Sequence, residues 1–330
     1  MDGSLKMEVA WFDAEKWEKE YLKDKASKLD IEFFEKSLTP ETVEKAMDFD
    51  AVTVFVDSRV NREVMESLDA DLVACRSTGY DHVAIEAAKE NEIDVCNVPQ
   101  YGSSTVAEHT FGLMLSLSRK IYDAIRKVED GSFDHEGLRG TDLHGKKLGV
   151  IGTGSIGQNV IQVAKGFGMD VVAYDPYGKE ELEDKLGFMY VSLEDLLTQS
   201  DVVTLHCPLT DSNRHMLSEE EFDRMEDTLL INTARGGLID TEALITALEN
   251  DSVSAAGLDV LEEECYMDED IEVMGDLGDE CDLELILEDH ILMERDDVLV
   301  TPHNAFNSVE AMHRIADATL DNLRNRENRI

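Results

Sequence analysis

Gly152-Thr153-Gly154-Ser155-Ile156-Gly157 follows the apolar run Leu148-Gly149-Val150-Ile151 and opens a helix-like stretch, Ile156 to Phe167. Glycines at this spacing allow a tight turn and close backbone approach. The helix beginning there turns its unpaired amides and positive dipole end toward whatever lies in front. Such a place suits a pyrophosphate. Asp175 stands 18 residues beyond Gly157, at the end of the next apolar run, Asp170 to Tyr174. A carboxylate there accepts hydrogen bonds from ribose hydroxyls and repels a 2′-phosphate, so the pattern predicts binding of NAD(H) rather than NADP(H). A glycine-rich turn alone says little; the strand before it, the helix after it and the distant acid carry the reading.

Three other segments follow apolar runs and bring reactive side chains with them. They are Asn232-Thr233-Ala234-Arg235-Gly236-Gly237, Gly257-Leu258-Asp259-Val260-Leu261-Glu262-Glu263-Glu264, and Thr301-Pro302-His303-Asn304-Ala305-Phe306. Open α/β sheets bind ligands outside the carboxyl ends of their strands, where these segments fall.

The elements that must position them are legible in outline. In the first hundred residues, Lys6–Phe12, Ile31–Phe34, Ala51–Val56, Asp71–Cys75 and Ile93–Val98 read as strands, with helices between them. Pro99 ends that series. A capping-box pattern, Thr105-x-x-Glu108, predicts one long helix to about Lys127, with Val106, Leu113, Leu117, Ile121 and Ile125 along a stripe. A second series follows: Leu148–Ile151, Asp170–Tyr174, Asp201–His206, Thr228–Asn232, Ser254–Asp259 and Val298–Thr301. A closing helix runs from about Ser308 to Arg324, and a strongly acidic insertion lies between Glu262 and Asp297. Strand–helix alternation of this kind builds parallel sheets, and the length suits two domains.

Composition bounds the partners. The 330 residues carry 73 Asp+Glu against 30 Lys+Arg, a formal charge of −43. Nucleic acid and anionic membrane surfaces would meet a repelling field. The chain is 42% hydrophobic with only 5 prolines, which argues for a folded protein with an acidic surface of the kind suited to a high-salt cytoplasm. No segment has the ~20 continuous apolar residues of a membrane span, and the first residues lack the pattern of a signal peptide. Five cysteines without a C-x-x-C pair read as reduced thiols, which places the protein in the cytoplasm and makes a zinc or other metal site unexpected.

With these segments in view, the sequence resembles the NAD-dependent D-2-hydroxyacid dehydrogenases, closest to the fermentative D-lactate branch. Further matching stretches are Glu136-Gly137-Leu138, Gly166-Phe167-Gly168-Met169, Asp175-Pro176-Tyr177, Leu205-His206-Cys207-Pro208-Leu209-Thr210 and Tyr101-Gly102-Ser103-Ser104-Thr105-Val106-Ala107-Glu108-His109. The resemblance implies an α/β protein of two Rossmann-like domains, one flavodoxin-like and one NAD-binding, each with a parallel sheet and with a cleft between them. Residues 1–100 and 301–330 would form the substrate-binding (catalytic) domain, with the NAD-binding domain, 101–300, inserted between. Pairing of the long helix about a two-fold axis implies a homodimer.

It also implies roles that chemistry supports. Reduction of a 2-oxo acid needs a cation for the carboxylate and carbonyl and a proton donor for the new alkoxide. Arg235 offers a fixed fork of donors for the first, and His303 is the natural acid/base for the second. Glu264 would hold the imidazole and raise its pKa, keeping it protonated for reduction. Its neighbours Glu262 and Glu263 compete for that position; the D-V-x-x-x-E spacing from Asp259 selects Glu264. The amides of Thr78 and Gly79 would meet the substrate carboxylate, and Tyr101 would reach the substrate. Gly152, Gly154, Ser155, Ile156, Gly157, Asp175, His206, Cys207, Pro208, Asn213, Thr233, Ala234, Arg235 and Asp259 match cofactor-lining positions, Asp259 facing the nicotinamide end. His206 is not expected to act as a base, and His109 reads as structural or exposed.

Two departures bear on the branch. Cys265 stands where many glycerate-type relatives have proline, and 39 residues separate Glu264 from His303, both features of the lactate branch. The expected reaction is NADH-dependent reduction of pyruvate or a close 2-oxo acid. A bulkier 2-oxo acid, glyoxylate or hydroxypyruvate remains an alternative substrate, and an NAD-sensing corepressor-like binding protein an alternative of another class.

Overall fold

A computed structural model of the chain describes residues 6–262 and 283–330. Short runs of Val, Ile, Leu and Ala become strands, the central ones buried on both faces as parallel sheets covered by helices require, most edge ones partly exposed. Five of them, β1 (Met7–Trp11), β2 (Leu29–Phe33), β3 (Ala51–Val54), β4 (Leu72–Cys75) and β5 (Asp94–Cys96), form a parallel sheet in the order β2-β1-β3-β4-β5. That is the flavodoxin-like order, with its reversal between β1 and β3. The helix Val309–Asn325 returns to this sheet and packs Ala316, Leu320 and Leu323 against Val9, Trp11 and Leu22. Beyond it the chain runs antiparallel along the edge of β5: Cys96 bridges Arg329, and the Ile330 amide donates to the Val95 carbonyl at 2.9 Å. Asp94 pins this segment through Arg326 and, at 2.7 Å, Arg329. One compact unit therefore comprises Met1–Tyr101 with Ser308–Ile330, and a second comprises Gly102–Asn307.

The second unit holds β6 (Lys147–Ile151), β7 (Asp170–Tyr174), β8 (Met189–Tyr190), β9 (Val202–Leu205), β10 (Thr228–Asn232), β11 (Val253–Leu258) and β12 (Val298–Val300). Their order is β12-β11-β10-β9-β6-β7-β8, every pairing parallel, with the reversal between β6 and β9. A reversal there opens a crevice at the carboxyl edge, the usual dinucleotide site of this topology. The two-residue β8 is too short to have a sequence signature. The acidic insertion contains a helix, Leu283–Met293.

The long helix expected from Thr105 to Lys127 is two helices, Ser103–Ser118 and Ile121–Glu129. The first is capped at Gly102, without a side-chain hydrogen bond there, so Thr105 lies inside the first turn. The break has a local cause. The Ser118 carbonyl is taken by the Thr141 amide at 2.7 Å, with Gly140 so close that a Cβ there would lie 2.2 Å from the same oxygen. Lys120 then turns left-handed at φ +51°. The stripe divides accordingly: Val106 and Leu113 are core and Leu117 half-buried, whereas the second helix buries nothing and exposes Ile121 and Ile125, with Tyr122 and Val128 beside them. No helix among the described residues is long and apolar enough to cross a membrane.

Candidate active site

The glycine loop is built as its spacing requires. Gly152 has φ +96°, donates to the Tyr174 carbonyl at 2.8 Å, and lies so close to the backbone of His206 that a Cβ would sit 2.7 Å away. A Cβ on Gly157 would meet the Gly152 carbonyl oxygen at 2.0 Å, so helix and strand touch there. Gly154 differs. It precedes the helix Ser155–Gly166, caps it with no side chain, and a Cβ on it would meet nothing within 4 Å. Packing within the protein does not demand that glycine; open space in front of unpaired amides fits a bound pyrophosphate. Ile156 turns inward against the core beside β6.

Asp175 closes the loop from β7. Its Oδ2 accepts from the Thr153 amide and hydroxyl, both at 2.8 Å, and its Oδ1 accepts from the Tyr177 amide at 2.9 Å. Partial burial works to raise this carboxyl, but the three donors outweigh it and hold the pKa below the ordinary aspartate value. The group is a fixed anion with an acceptor position left on Oδ1, as a ribose partner must be. Tyr190, from the unforeseen β8, steadies Thr153 by a 2.8 Å hydroxyl contact. These residues fit NAD(H).

Because all seven strands run parallel, Arg235 after β10, Asp259 after β11 and His303 after β12 share the carboxyl edge with Gly152, Asp175 and His206. His303 sits at φ +47° on a loop held from beneath by Asp259. The His303 amide donates to the Asp259 carbonyl at 2.8 Å. The Asp259 carboxylate accepts from the Asn304 and Ala305 amides, both at 2.8 Å, and from the Thr301 hydroxyl at 2.5 Å. His109, on the Ser103–Ser118 helix, adds contacts of 3.0 Å to the Thr301 hydroxyl and 3.3 Å to Asp259. Asp259 is 1% exposed; burial pushes its pKa up, yet these donors prevail and keep it below the usual range. Expected to face the nicotinamide, this buried side chain spends its hydrogen bonds on the protein, where it fixes the path of the His303 loop.

Arg235 has extended backbone, and its loop is templated by fully buried Asn232, which accepts from the Ala234 amide at 3.0 Å and donates to the Arg235 carbonyl at 2.9 Å. Gly236 lets the backbone at Leu261 approach; a Cβ would lie 1.8 Å from the Leu261 carbonyl oxygen. The turn bearing Arg235 and the chain leading toward Glu264 are therefore in contact. Glu264 itself lies outside the described residues. Its neighbour Glu262 is engaged elsewhere, with His215, with Arg214 at 2.8 Å and with the Thr241 hydroxyl at 3.3 Å.

The other positions expected to line the cofactor follow β9 and β10 on the same edge. Burial drives the His206 imidazole down to about 3, so it is neutral, with Nε2 2.9 Å from the Thr204 hydroxyl. Such a ring is no acid/base at neutral pH. Burial pushes the Cys207 thiol up to about 11, which makes it inert. Asn213 spends its side chain on its own loop, donating to the Pro208 carbonyl at 2.8 Å and accepting from the Thr210 amide at 2.6 Å. Thr233 meets Thr110 at 3.0 Å between hydroxyls, and Ala234 packs against the core. Among the described residues, no group of three His, Cys, Asp or Glu is placed to hold a metal.

Thr78, Gly79 and Tyr101 belong to the other unit. The Arg76–Tyr80 loop leaves β4 from a fully buried arginine. Arg76 donates to Glu18 at 2.5 Å and to the carbonyls of Phe12, at 2.5 Å, and Asp13, at 3.0 Å, with Trp11 and Phe55 over its guanidinium. Thr78 is exposed and Gly79 half-buried. The Tyr101 carbonyl accepts from Arg314 at 2.6 Å. His109, Thr301, Asn232 and Arg76 escaped sequence reasoning as site-shaping residues. Each lies in or beside a motif already singled out, which is the signal that would have found them.

Comparison with known proteins identifies the family. Residues 111–305 match the family model described as D-isomer specific 2-hydroxyacid dehydrogenase, NAD binding domain. A 2-hydroxyacid dehydrogenase homolog from Haemophilus influenzae is 40% identical over 326 residues, 96% of this chain and 95% of that protein. D-lactate dehydrogenase from Escherichia coli is 38% identical over 97% of both, and its apo-structure aligns over 98% of this chain and 100% of that one with a TM-score of 0.84. D-lactate dehydrogenase from Aquifex aeolicus, complexed with NAD and lactic acid, is 30% identical over 98% of both chains, with a TM-score of 0.82. With a family model over residues 111–305 and relatives 38–40% identical along nearly the whole chain, the family is plain: this chain belongs to the NAD-dependent D-2-hydroxyacid dehydrogenases.

Proposed function

We propose that the protein reduces pyruvate, or a close 2-oxo acid, to the D-2-hydroxy acid. The observation that carries this is the loop after β12, where buried Asp259 fixes His303 on the edge that also holds Arg235 and the dinucleotide loop. When bound, NADH supplies the hydride. Arg235 binds the substrate carboxylate and polarises the ketone; its fork of donors, carried on a backbone turn held by Asn232, stabilises charge as it grows on oxygen. His303 gives its proton to that oxygen in reduction and takes it back in oxidation. Glu264 keeps the imidazole protonated. The engagement of Glu262 with Arg214 and His215 favours Glu264 for this role. Thr78 and Gly79 offer amides to the carboxylate, and Tyr101 shapes the substrate side. The names of the Escherichia coli and Aquifex aeolicus relatives favour lactate chemistry.

The exposed stripe of Ile121, Tyr122, Ile125 and Val128 supports a homodimer, formed by the short second helix rather than one long one. Free Cys75, Cys96 and Cys207 suit a reducing cytoplasm. The charge of −43 opposes two anionic ligands, so screening by salt should strengthen the apparent affinity for NADH and the oxo acid.

The test is NADH oxidation with pyruvate, bulkier 2-oxo acids, glyoxylate and hydroxypyruvate, in dilute buffer and in molar KCl, with product chirality determined. Fastest turnover with pyruvate, giving D-lactate, is expected. No turnover of any 2-oxo acid by folded, NAD-binding protein overturns the reading.

A further inference from the structure

Two consecutive carbonyls in the Arg76–Tyr80 loop point the same way. The Ser77 carbonyl accepts from the Val98 amide at 2.9 Å, and the Thr78 carbonyl accepts from the Asn97 side chain, Nδ2, at 2.7 Å. In a planar trans peptide the carbonyl of one residue and the amide of the next point in opposite directions. The Thr78 and Gly79 amides are therefore both aimed away from the 97–98 segment, and among the described residues neither meets an acceptor. Successive amides facing one side make a concave site for an anion. The first peptide is fixed by main chain alone. The second depends on a side chain, and glycine at 79 adopts either sign of φ with little penalty, so nothing in its own backbone resists a flip.

Asn97 is itself held. Its carbonyl accepts from Asn322 Nδ2 at 2.7 Å, its amide donates to the Asn328 carbonyl at 3.2 Å, and Asn328 Nδ2 donates to Asn322 Oδ1 at 2.8 Å. Asn322 lies fully buried on the Val309–Asn325 helix. All these residues belong to one unit.

We propose that the asparagine chain Asn328–Asn322–Asn97 is a positioning device that aims the Gly79 amide at the substrate carboxylate, with Asn97 as its working end. This rests on the reading of the protein as a 2-oxo acid reductase. The device uses neutral donors throughout, so it adds anion affinity with no cation and no titration between pH 5 and 9.

The experiment compares wild type with Asn97→Leu, Asn97→Gln and Asn322→Leu, using pyruvate kinetics and equilibrium binding of oxamate to the NADH-loaded enzyme. For Asn97→Leu, KM for pyruvate and the oxamate Kd should rise about tenfold, the worth of one well-placed hydrogen bond. KM for NADH and Tm should stay near wild type. Asn97→Gln, which keeps a donor, should recover part of the loss, and Asn322→Leu should shift the same two constants by a smaller factor. Unchanged pyruvate KM and oxamate Kd in Asn97→Leu, beside normal wild-type turnover, overturns this proposal and leaves the functional reading intact. Equal losses toward NADH and pyruvate overturn it as well, because they mark general damage. A wild-type enzyme inert toward every 2-oxo acid removes the reading and this proposal with it.

Discussion

Two loops that leave parallel strands are each held by one buried charge, and they are held in opposite ways. The loop after β12 surrounds Asp259, an anion whose partners are amides, a hydroxyl and one imidazole. The loop after β4 springs from Arg76, a cation whose partners are carbonyls and a full counter-charge, Glu18. Dipoles serve the anion well: against burial, they hold the Asp259 pKa below normal. The ion pair serves its members less well. Burial raises Glu18 and lowers Arg76, and their mutual attraction offsets only part of that. A buried charge solvated by fixed dipoles is at ease, whereas a buried pair is stable only while both members remain. The first arrangement carries the histidine; the second anchors the loop of amides.

Experiments can separate the two. The largest effect belongs to chemistry itself: His303→Ala should lower kcat by about 10²–10⁴, the range of a lost general acid, while NADH affinity measured by fluorescence is retained. Next is Glu18→Gln, which strands the Arg76 charge; urea titration should show a stability loss of about 3–5 kcal/mol. The double change Glu18→Met with Arg76→Met should recover most of it, since removing both charges avoids the stranded ion.

Asp259→Asn should cost less stability, about 1–3 kcal/mol for buried donors left unsatisfied, with kcat/KM falling as the His303 loop shifts. Its pH dependence follows in sign from the depressed pKa: the contribution of Asp259 is complete above the unfolded value of about 4. As pH falls through the lower folded-state value that contribution disappears, so the stability gap between variant and wild type should narrow in acid. A gap that widened instead would mean that the carboxylate is not stabilised by the loop. The smallest effect is expected from Thr301→Val, which removes the hydroxyl between His109 and Asp259; about 1 kcal/mol of stability should be lost, with KM for NADH unaltered.

How much of this was visible in the sequence depends on the range of the interaction. The glycine loop and Asp175 are set by neighbours within about 20 residues, so their spacing and the apolar run and helix pattern around them marked them in the sequence. The strands were legible because burial on both faces demands unbroken apolar runs. The break at Lys120 was not, because its cause lies at Gly140 and Thr141, which capture a carbonyl the helix would otherwise use. Asp259 was legible as a residue of the edge, but its part in holding the His303 loop was not: that depends on which amides a distant strand brings to it, here those of Asn304 and Ala305. Asn97 looks like any turn asparagine until Thr78 lies beside it. Glu264, whose role rests on resemblance and spacing, falls outside the described residues.

The discontinuity of the first unit has a consequence for how the chain is made. Gly102–Asn307 is continuous, so its seven strands and their covering helices can assemble as soon as they emerge. The earlier segment, though translated first, lacks Ala316, Leu320 and Leu323 against Trp11 and has an unpaired edge at β5 until the segment reaching Ile330 arrives. Such an edge is a template for other chains. During synthesis the older half must therefore wait for the younger, and the excess of acidic residues along the chain opposes, by like-charge repulsion, the pairing of one such edge with another.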